Sequence, residues 1–423
     1  MLKNHPLPAR LLLVILLAVT AGGCSLAPDY QRPAAPVPVT YGMGTAEESG
    51  ETSQLAQWRD FFTDPAMQRL IELALENNRD YRVALLNIEK TRAQYQIQRA
   101  DLLPTVGAAA AADSQHLPAA FSGAGQEAVA RQYSVGLGFS AFELDLFGRV
   151  RSLADSALEQ YHSVENDART ARISLMAEVA GIYLQLVSDR ELLDITRNTH
   201  LNRQGQFELV RDKFRSGVAS QLQVSQAESI MEEARSNVSR FETAVSQDEN
   251  YLALLLGTAI PEDLPEVRRL ADVEMLADVP AGLPSSLLER RPDILAAENR
   301  LKAANANIGA ARANFFPSIS LTGQLGTLSP EASQLFHGGM GYWQFAPQAT
   351  LPLFDSGRNI ARLEASEAEK EIAVALYEGT IQSAFREVRD ALAQRRNIGA
   401  QLNAETALLG ATCTAFELAS ARY

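Results

Sequence analysis

The longest pattern in the chain is a series of apolar and small side chains that recur every three or four residues from Val150 to Leu186. Such a series forms a continuous seam on one face of an α-helix, and that face packs lengthwise against another helix. No proline occurs between Gly148 and Pro261. At about 1.5 Å per residue, a helix of roughly sixty residues would extend about 100 Å. The pattern therefore predicts a long rod.

The rod is expected to reverse direction at residues 215–220. Gly217 can adopt the left-handed conformation that ends a helix. Ser220, followed three residues later by Gln223, has the spacing of a capping box that begins the next helix. A second apolar seam follows, so residues 149–256 are predicted to form an antiparallel coiled-coil hairpin.

Four shorter segments alternate apolar and polar side chains, at about 105–113, 133–142, 318–326 and 342–351. The first of them is mostly alanine and has the weakest pattern. About ten alternating residues are what a membrane β-strand requires. A half-buried strand of a soluble sheet has the same local pattern, so each segment alone leaves both interpretations open.

An internal repeat organises these elements. Residues 99–104 (RADLLP) correspond to residues 312–317 (RANFFP), 213 positions later, and Gly148-Arg149 corresponds to Gly357-Arg358, 209 positions later. Each copy contains a helix, a proline break, a β region, a Gly-Arg pair and a long helix, which indicates a duplication. The predicted boundaries are 55–257 for the first repeat, 258–290 for a linker and 291–423 for the second repeat, with its long helix from about 358.

Four strands are too few for a membrane wall. Lipid offers no hydrogen-bonding partner to an open sheet edge, and closed barrels need about eight strands or more. Two copies would supply eight strands filled by their own side chains, whereas three would supply twelve around a lumen. Because the polar faces carry Ser, Gln, Gly and Thr, the sequence favours the wet, three-copy form. The fold class predicted is an α+β membrane protein with a shared barrel.

The N-terminus has the features of an export signal. Lys3 and Arg10 precede or begin a short apolar run, residues 11–19, that is too short to span a bilayer. Small residues then lead to Cys24, as in a lipoprotein processing site. Residues 1–23 are predicted to be a signal peptide and Cys24 to carry covalent lipid; ordinary cleavage after a small residue is the alternative. Residues 24–54 are expected to form an extended, proline-rich tether.

Composition and charge narrow the functional classes. The chain has 423 residues, 46% of them apolar and 21% charged, with two cysteines and five scattered histidines. A disulfide framework and a cysteine zinc site are excluded on that count, and Cys413 is expected to be a small core residue on a helix. Removal of Lys3 and Arg10 with the signal takes the formal charge from −13 to −15. This acidity argues against nucleic acid as a partner.

Several motifs resemble the NodT/OprM lipoprotein branch of the TolC family of outer-membrane efflux factors. They are residues 28–33 (PDYQRP), 143–149 (ELDLFGR), 281–294 (AGLPSSLLERRPDI), 304–309 (ANANIG), 316–319 (FPSI) and 353–358 (LFDSGR). The resemblance covers the chain from about Cys24 to Tyr423. Ser25 after the cysteine suggests, by the same resemblance, sorting to the outer membrane.

The resemblance implies a homotrimer with a 12-stranded β-barrel in outer-membrane lipid and an α-helical barrel in the periplasm. It implies a passive exit duct for small molecules (drugs, other toxic solutes or metals), coupled to a periplasmic adaptor and an inner-membrane pump of the resistance–nodulation–division (RND) class. Adaptor docking is expected at the hairpin tip, for which a plain helix turn is the alternative. The tip residues are Phe214, Arg215, Ser216, Gly217, Val218, Ala219 and Ser220.

The second repeat is expected to be incomplete. The first repeat continues for 43 residues after Phe214, from Arg215 to Gly257, whereas the second stops at Tyr423, the counterpart of Phe214. The family's gate residues follow the second tip, so no position of this sequence inherits them. A seam on the last long helix is expected to be partly uncovered.

Other functions compete with this interpretation. The loose dinucleotide fingerprint at residues 136–141 (GLGFSA) lies inside an alternating strand and opens no helix, so an enzyme is not expected. A lipid-anchored coiled-coil scaffold would explain the rods but not four alternating strands at equivalent points of a repeat. A duct for type I protein secretion, or a non-functional fragment of the channel, remains as the alternative within the family. The exported substrate is not encoded in any pattern found.

Overall fold

The computed structural model describes residues 25–38, 58–121, 125–265, 269–273 and 289–421. Residues 1–23, Cys24 and Tyr423 therefore lie outside the described residues, as do most of the predicted tether and linker. The chain forms two compact units, each assembled from separate stretches of sequence. Among the described residues, the first unit contains 25–37, 88–121, 125–165 and 293–384, and the second contains 38, 58–87, 166–265, 269–273, 289–292 and 385–421.

A four-stranded antiparallel sheet lies in the first unit, with the strands in sequence order. Its strands are β1 (Gly107–Leu117), β2 (Ala128–Glu143), β3 (Ser318–Ser329) and β4 (Gly341–Thr350). β1 and β2 extend beyond the predicted alternation, because residues 113–117 pair with residues 128–132 through their backbones. Backbone pairing does not need an alternating side-chain pattern, so the sequence pattern underestimated both strands.

The β2–β3 pair joins the two repeats, and glycine makes the approach close. Gly136 pairs directly with Gly326. A Cβ added at Gly136 would lie 2.7 Å from the carbonyl oxygen of Leu325. The register shifts between Phe139 and Phe142, where Ala141 has φ 53°. Within the sheet, β1 and β4 each have one unpaired edge.

Seven α-helices are described besides the sheet, together with two single-turn 3₁₀ helices at Leu270–Asp272 and Ala332–Gln334. The α-helices are α1 (Trp58–Phe61), α2 (Pro65–Asn77), α3 (Arg79–Ala100), α4 (Arg149–Arg215), α5 (Gln221–Leu256), α6 (Pro292–Ala313) and α7 (Arg358–Ser420). The predicted rod is α4, whose 67 residues correspond to about 100 Å. The α4–α5 hairpin and the long helix after Gly357 are where the periodicity placed them. Among the described helices, none combines the length and apolar character needed to cross a membrane.

The core of the second unit forms where α2 packs on α4 and α5. Met67, Leu70 and Ile71 are completely buried there with Val179 and Leu256. Pro65 begins α2 after Asp64, whose carboxylate accepts a hydrogen bond from the Met67 amide at 2.8 Å. This cap satisfies an amide that the helix leaves free.

Tyr183 belongs to this core and is only 6% exposed. Burial raises the pKa of the Tyr183 hydroxyl to about 12. α5 ends at Gly257, which has φ 66° and lies so close to the carbonyl of Asn77 that a Cβ would collide with it. The short helix α2 therefore closes one end of the hairpin.

The C-terminal part of α7 is exposed, contrary to the burial predicted for Cys413. Cys413 lies on the helix but is exposed, so its assignment as a core residue is wrong for the single chain. Every side chain from Gln394 to Ala419 is exposed. Of the predicted α7 seam, Tyr377 and Ile381 are buried whereas Ile360 is 57% exposed.

Candidate functional site

The tip of the α4–α5 hairpin is a tight turn with the predicted chemistry. Gly217 has φ 78°, and its amide donates to the Phe214 carbonyl at 2.9 Å. The Val218 amide reaches back to the carbonyl of Lys213 at 2.8 Å. Ser220 and Gln223 then form a complete capping box at the start of α5. These bonds close the turn and leave Val218, whose side chain takes part in none of them, at its exposed centre.

The tip presents an apolar surface with a basic border. Val218 is 76% exposed and Phe214 is 40% exposed. A groove of about 460 Å³ beside them is lined by five apolar side chains, three amides and two bases: Val210, Val218, Ala219, Ala227 and Ile230; Gln206, Gln223 and Gln226; Arg203 and Lys213. Arg215 forms only a surface ion pair with Asp212, at 3.4 Å. Such a surface suits a partner that offers apolar side chains flanked by acidic groups.

Residues 25–32, which we call the N-terminal strap, follow the predicted lipidation site and pack against α6. The side chain of Glu298 on α6 is only 4% exposed. It accepts hydrogen bonds from the Tyr30 hydroxyl at 3.1 Å and from the Arg32 guanidinium at 3.0 and 2.8 Å. The Nζ of Lys302 lies 3.4 Å away. Buried carboxylates are tolerated only when they are paired in this way.

Backbone contacts continue the strap along α6. Asn305 donates to the carbonyl of Pro28 at 2.7 Å, and Arg312 donates to that of Leu26 at 3.4 Å. A Cβ at Gly309 would lie 2.7 Å from the amide nitrogen of Ala27. The part of the predicted tether that the structure describes is therefore docked onto the body, because Glu298 and a small helix face receive it.

The strap depends on the charge of Glu298. Burial raises the pKa of this carboxyl, but the hydrogen bonds from Arg32 and the charge of Lys302 outweigh burial and hold the pKa below its ordinary value of 4.5. The pKa of the Tyr30 hydroxyl is raised, first by burial and then by the negative charge of Glu298. The stabilisation is therefore complete above pH 4.5 and is lost as the pH falls through the lower, folded-state pKa.

We predict that Glu298→Gln loosens the strap. The amide keeps the size of the side chain but loses the ionic hydrogen bonds, which contribute about 1–2 kcal/mol because Arg32 and Lys302 are partly exposed. At neutral pH, chymotryptic cleavage after Tyr30 should accelerate about tenfold. Glu387→Gln, which removes the exposed partner of Arg291 and leaves every strap contact in place, is the control and should leave the rate unchanged. Equal rates for all three proteins would show that Glu298 does not hold the strap.

Neither a metal-holding cluster nor a nucleotide-binding turn is present in the described part of the chain. No group of three or more His, Cys, Asp or Glu side chains there could hold a metal ion. The glycines of residues 136–141 lie in β2 and pair with β3, and no helix begins beside them. The candidate site therefore consists of the hairpin tip, the strap and the open sheet edges.

The chain was compared with known proteins. The profile of the outer membrane efflux protein family matches residues 70–258 and 283–423. The chain belongs to this family. It is 50% identical to the probable efflux pump outer membrane protein TtgC of Pseudomonas putida over 417 residues, which cover 97% of this chain and 86% of the relative. It is 47% identical to the outer membrane protein OprJ of Pseudomonas aeruginosa, over 98% and 87% of the two chains.

Solved structures agree with the family assignment. A membrane protein from Pseudomonas aeruginosa superposes with a TM-score of 0.86 at 46% identity, over 95% of this chain and 90% of the other. The open MtrE outer membrane channel of Neisseria gonorrhoeae superposes with a TM-score of 0.84 at 38% identity, over 95% and 88%. The predicted α+β fold of the outer-membrane efflux factors is confirmed. This family member is an outer-membrane protein that extends into the periplasm.

The structure describes the predicted tip residues but not the predicted lipidation site. Phe214, Arg215, Ser216, Gly217, Val218, Ala219 and Ser220 lie together at the hairpin tip. Cys24 lies outside the described residues, one position before the strap begins. Sequence reasoning missed Glu298 as the receptor of the strap. The only signal was one of the two acidic residues in the alanine-rich sequence of α6, together with Tyr30 and Arg32 in the motif after the cysteine.

Proposed function

We propose that this family member is the outer-membrane channel of a tripartite efflux pump, a passive trimeric exit duct for small molecules. The observation that carries the proposal is the four-stranded sheet with both edges unpaired, in a chain of the outer membrane efflux protein family. In a bilayer, unpaired backbone groups cost several kcal/mol each, so the edges require partners. Three copies supply twelve strands, enough to enclose a lumen.

The family leads us to propose small compounds as cargo, whereas the pump coupled to the duct selects the chemistry of those compounds. Two relatives, each 50% identical, are named as an antibiotic efflux pump protein and a toluene efflux pump protein of Pseudomonas putida. For this chain we propose small, largely apolar compounds as cargo. A passive duct does not select among them, because selection requires differential contacts that a wide aqueous lumen does not make.

The partners proposed are a periplasmic adaptor and an RND-type inner-membrane transporter. The adaptor is assigned to Phe214–Ser220, where Val218 is the most exposed apolar side chain of the turn. The duct contributes no energy of its own, so export requires a transporter coupled through that adaptor.

Planar-bilayer recording tests the duct directly. Purified full-length protein should insert and give discrete conductance steps, because a closed barrel with a polar interior conducts ions. Protein denatured before addition is the control and should give none. Folded, membrane-bound protein that never conducts would support a lipid-anchored scaffold instead and would overturn the proposal.

We further propose that Cys24 carries the lipid that anchors the strap to the membrane. The support is its position immediately before residues 25–32, which are fixed to α6. Each buried CH₂ of an acyl chain contributes about 0.8 kcal/mol, so several chains hold a protein stably. Cys24→Ser should abolish incorporation of labelled palmitate, whereas Cys413→Ser, at the other cysteine, should not. Unchanged labelling of the Cys24 variant would disprove the assignment.

A further inference from the structure

The turns that follow β2 and β4 have related sequences but different environments. Residues 143–149 (ELDLFGR) correspond to residues 350–358 (TLPLFDSGR), with two extra residues before the glycine. Phe147 and Phe354 therefore hold equivalent places, one after each hairpin. Phe147 is half-buried, whereas Phe354 is 88% exposed and its neighbour Leu353 is 91% exposed.

Phe147, in the first repeat, packs against a residue of the second repeat. Its ring stacks on that of Phe316, at the end of α6, with the centroids 4.7 Å apart and the planes inclined by 19°. Beside this stack, the Leu144 amide donates to the carbonyl of Ile319 on β3 at 2.8 Å. Both contacts accompany the pairing of β2 with β3. The turn after one strand thus packs on the residues that lead into the next.

The counterparts of the receiving residues are also exposed. At the repeat offset of 213, Phe316 corresponds to Leu103 and Ile319 to Val106. Leu103 is 71% exposed and Val106 is 66% exposed, and both lie immediately before β1. Phe354 and Leu351 follow β4 at the opposite edge of the sheet. One chain cannot bring these two edges together, because β2 and β3 lie between them.

We propose that Phe354 of one copy packs on Leu103 of a second copy, in the arrangement that Phe147 and Phe316 have within one chain. The Leu351 amide then donates to the Val106 carbonyl of the second copy, as Leu144 does to Ile319. This inference rests on the proposed function, because it requires β4 of one copy to pair with β1 of the next. The occupant of the exposed Leu353–Phe354 surface is therefore another copy of this chain, at the continuation of the sheet.

Cross-linking tests the contact. In a Cys413→Ala background that retains Cys24, Leu103→Cys and Phe354→Cys are combined and treated with a short bis-maleimide. Dimers and trimers on a denaturing gel are expected. The control combines Phe147→Cys with Phe316→Cys, which should cross-link within one copy and leave the protein at monomer size.

The outcomes separate this inference from the proposed function. A trimer in native mass spectrometry whose Leu103/Phe354 pair stays monomeric on the gel, while the control pair reacts, would overturn the contact and leave the channel intact. A protein that is monomeric in native mass spectrometry would overturn both. Labelling of Phe354→Cys by a lipid-soluble maleimide within intact trimers would show that lipid covers the surface, and would also overturn the contact.

Truncation gives a second, independent measurement. Phe354→Ala should lower the fraction of trimer at limiting concentration by about tenfold. The reason is that the variant removes a buried aromatic side chain from each interface between copies. Phe336→Ala, which truncates a ring that is 78% exposed in the segment between β3 and β4, should leave the fraction unchanged. Equal trimer fractions for the two variants would contradict the proposal.

Discussion

Val218→Asp is expected to abolish export by this channel without closing its pore. The side chain is 76% exposed at the centre of the hairpin turn, beside a groove lined by Val210 and Ile230. An acidic group there places an unpaired charge in an apolar contact. Loss of a hot-spot side chain at the centre of an interface costs about 2 kcal/mol or more, which is about 30-fold in affinity.

Drug susceptibility and adaptor binding measure this effect together. Cells that carry Val218→Asp in place of the wild-type chain should be about as sensitive to the exported compounds as cells without the channel. Adaptor affinity should fall about 30-fold, while conductance in planar bilayers stays at the wild-type value. Val218→Thr, which keeps the shape of the side chain, is the matched control and should retain most of the activity. Full resistance in the aspartate variant would show that the adaptor engages another surface.

Gly326→Val is expected to prevent assembly of the channel. Gly326 pairs with Gly136 across β2 and β3. A Cβ at Gly326 would lie 2.6 Å from the Cα of Gly136 and would collide with the carbonyl oxygen of Val135. Both obstacles are backbone atoms, so the strands must separate. Forcing extra atoms into a packed site costs about 1–3 kcal/mol or more. The same steric clash occurs in every copy of the chain in the barrel.

The control for this variant lies in the same hairpin. A Cβ at Gly341 meets no heavy atom within 4 Å. Valine is favoured in strands, so Gly341→Val should assemble normally, and a loss confined to Gly326→Val is steric in origin. The amount of heat-resistant oligomer in outer-membrane fractions measures the difference. Equal amounts for the two variants would contradict the assigned β2–β3 register.

The hairpin could be predicted from the sequence because its determinants are local. The seam of α4, the left-handed Gly217 and the Ser220–Gln223 capping box each depend on residues within a few positions of one another. The alternation of apolar and polar side chains, which predicts the four strands, is also a local pattern. The ends of β1 and β2 were missed, because they are set by backbone pairing between the strands.

The strap could not be predicted, because its receptor is distant in sequence. Glu298 lies 266 residues after Arg32, and the motif containing Arg32 gave no indication of where its charge would be neutralised. The same limit explains Cys413. Helical periodicity places it on α7, but its burial depends on what covers that face of the helix, and periodicity does not supply a neighbour.

Membership of the family indicates that the chain forms an efflux channel. The unpaired edges of its sheet indicate that several copies assemble to form it. Leu103 and Phe354 are exposed at opposite edges of one sheet, while their counterparts in the repeat lie against each other. Assembly from identical copies accounts for both observations with a single geometric rule, that every strand pairs on both sides.

Native mass spectrometry of the full-length, detergent-extracted protein tests that rule most directly. The account predicts one dominant species with the mass of three chains and a circular dichroism spectrum with both helix and sheet signals. A stable monomer, with the edges of β1 and β4 left unpaired, would contradict it.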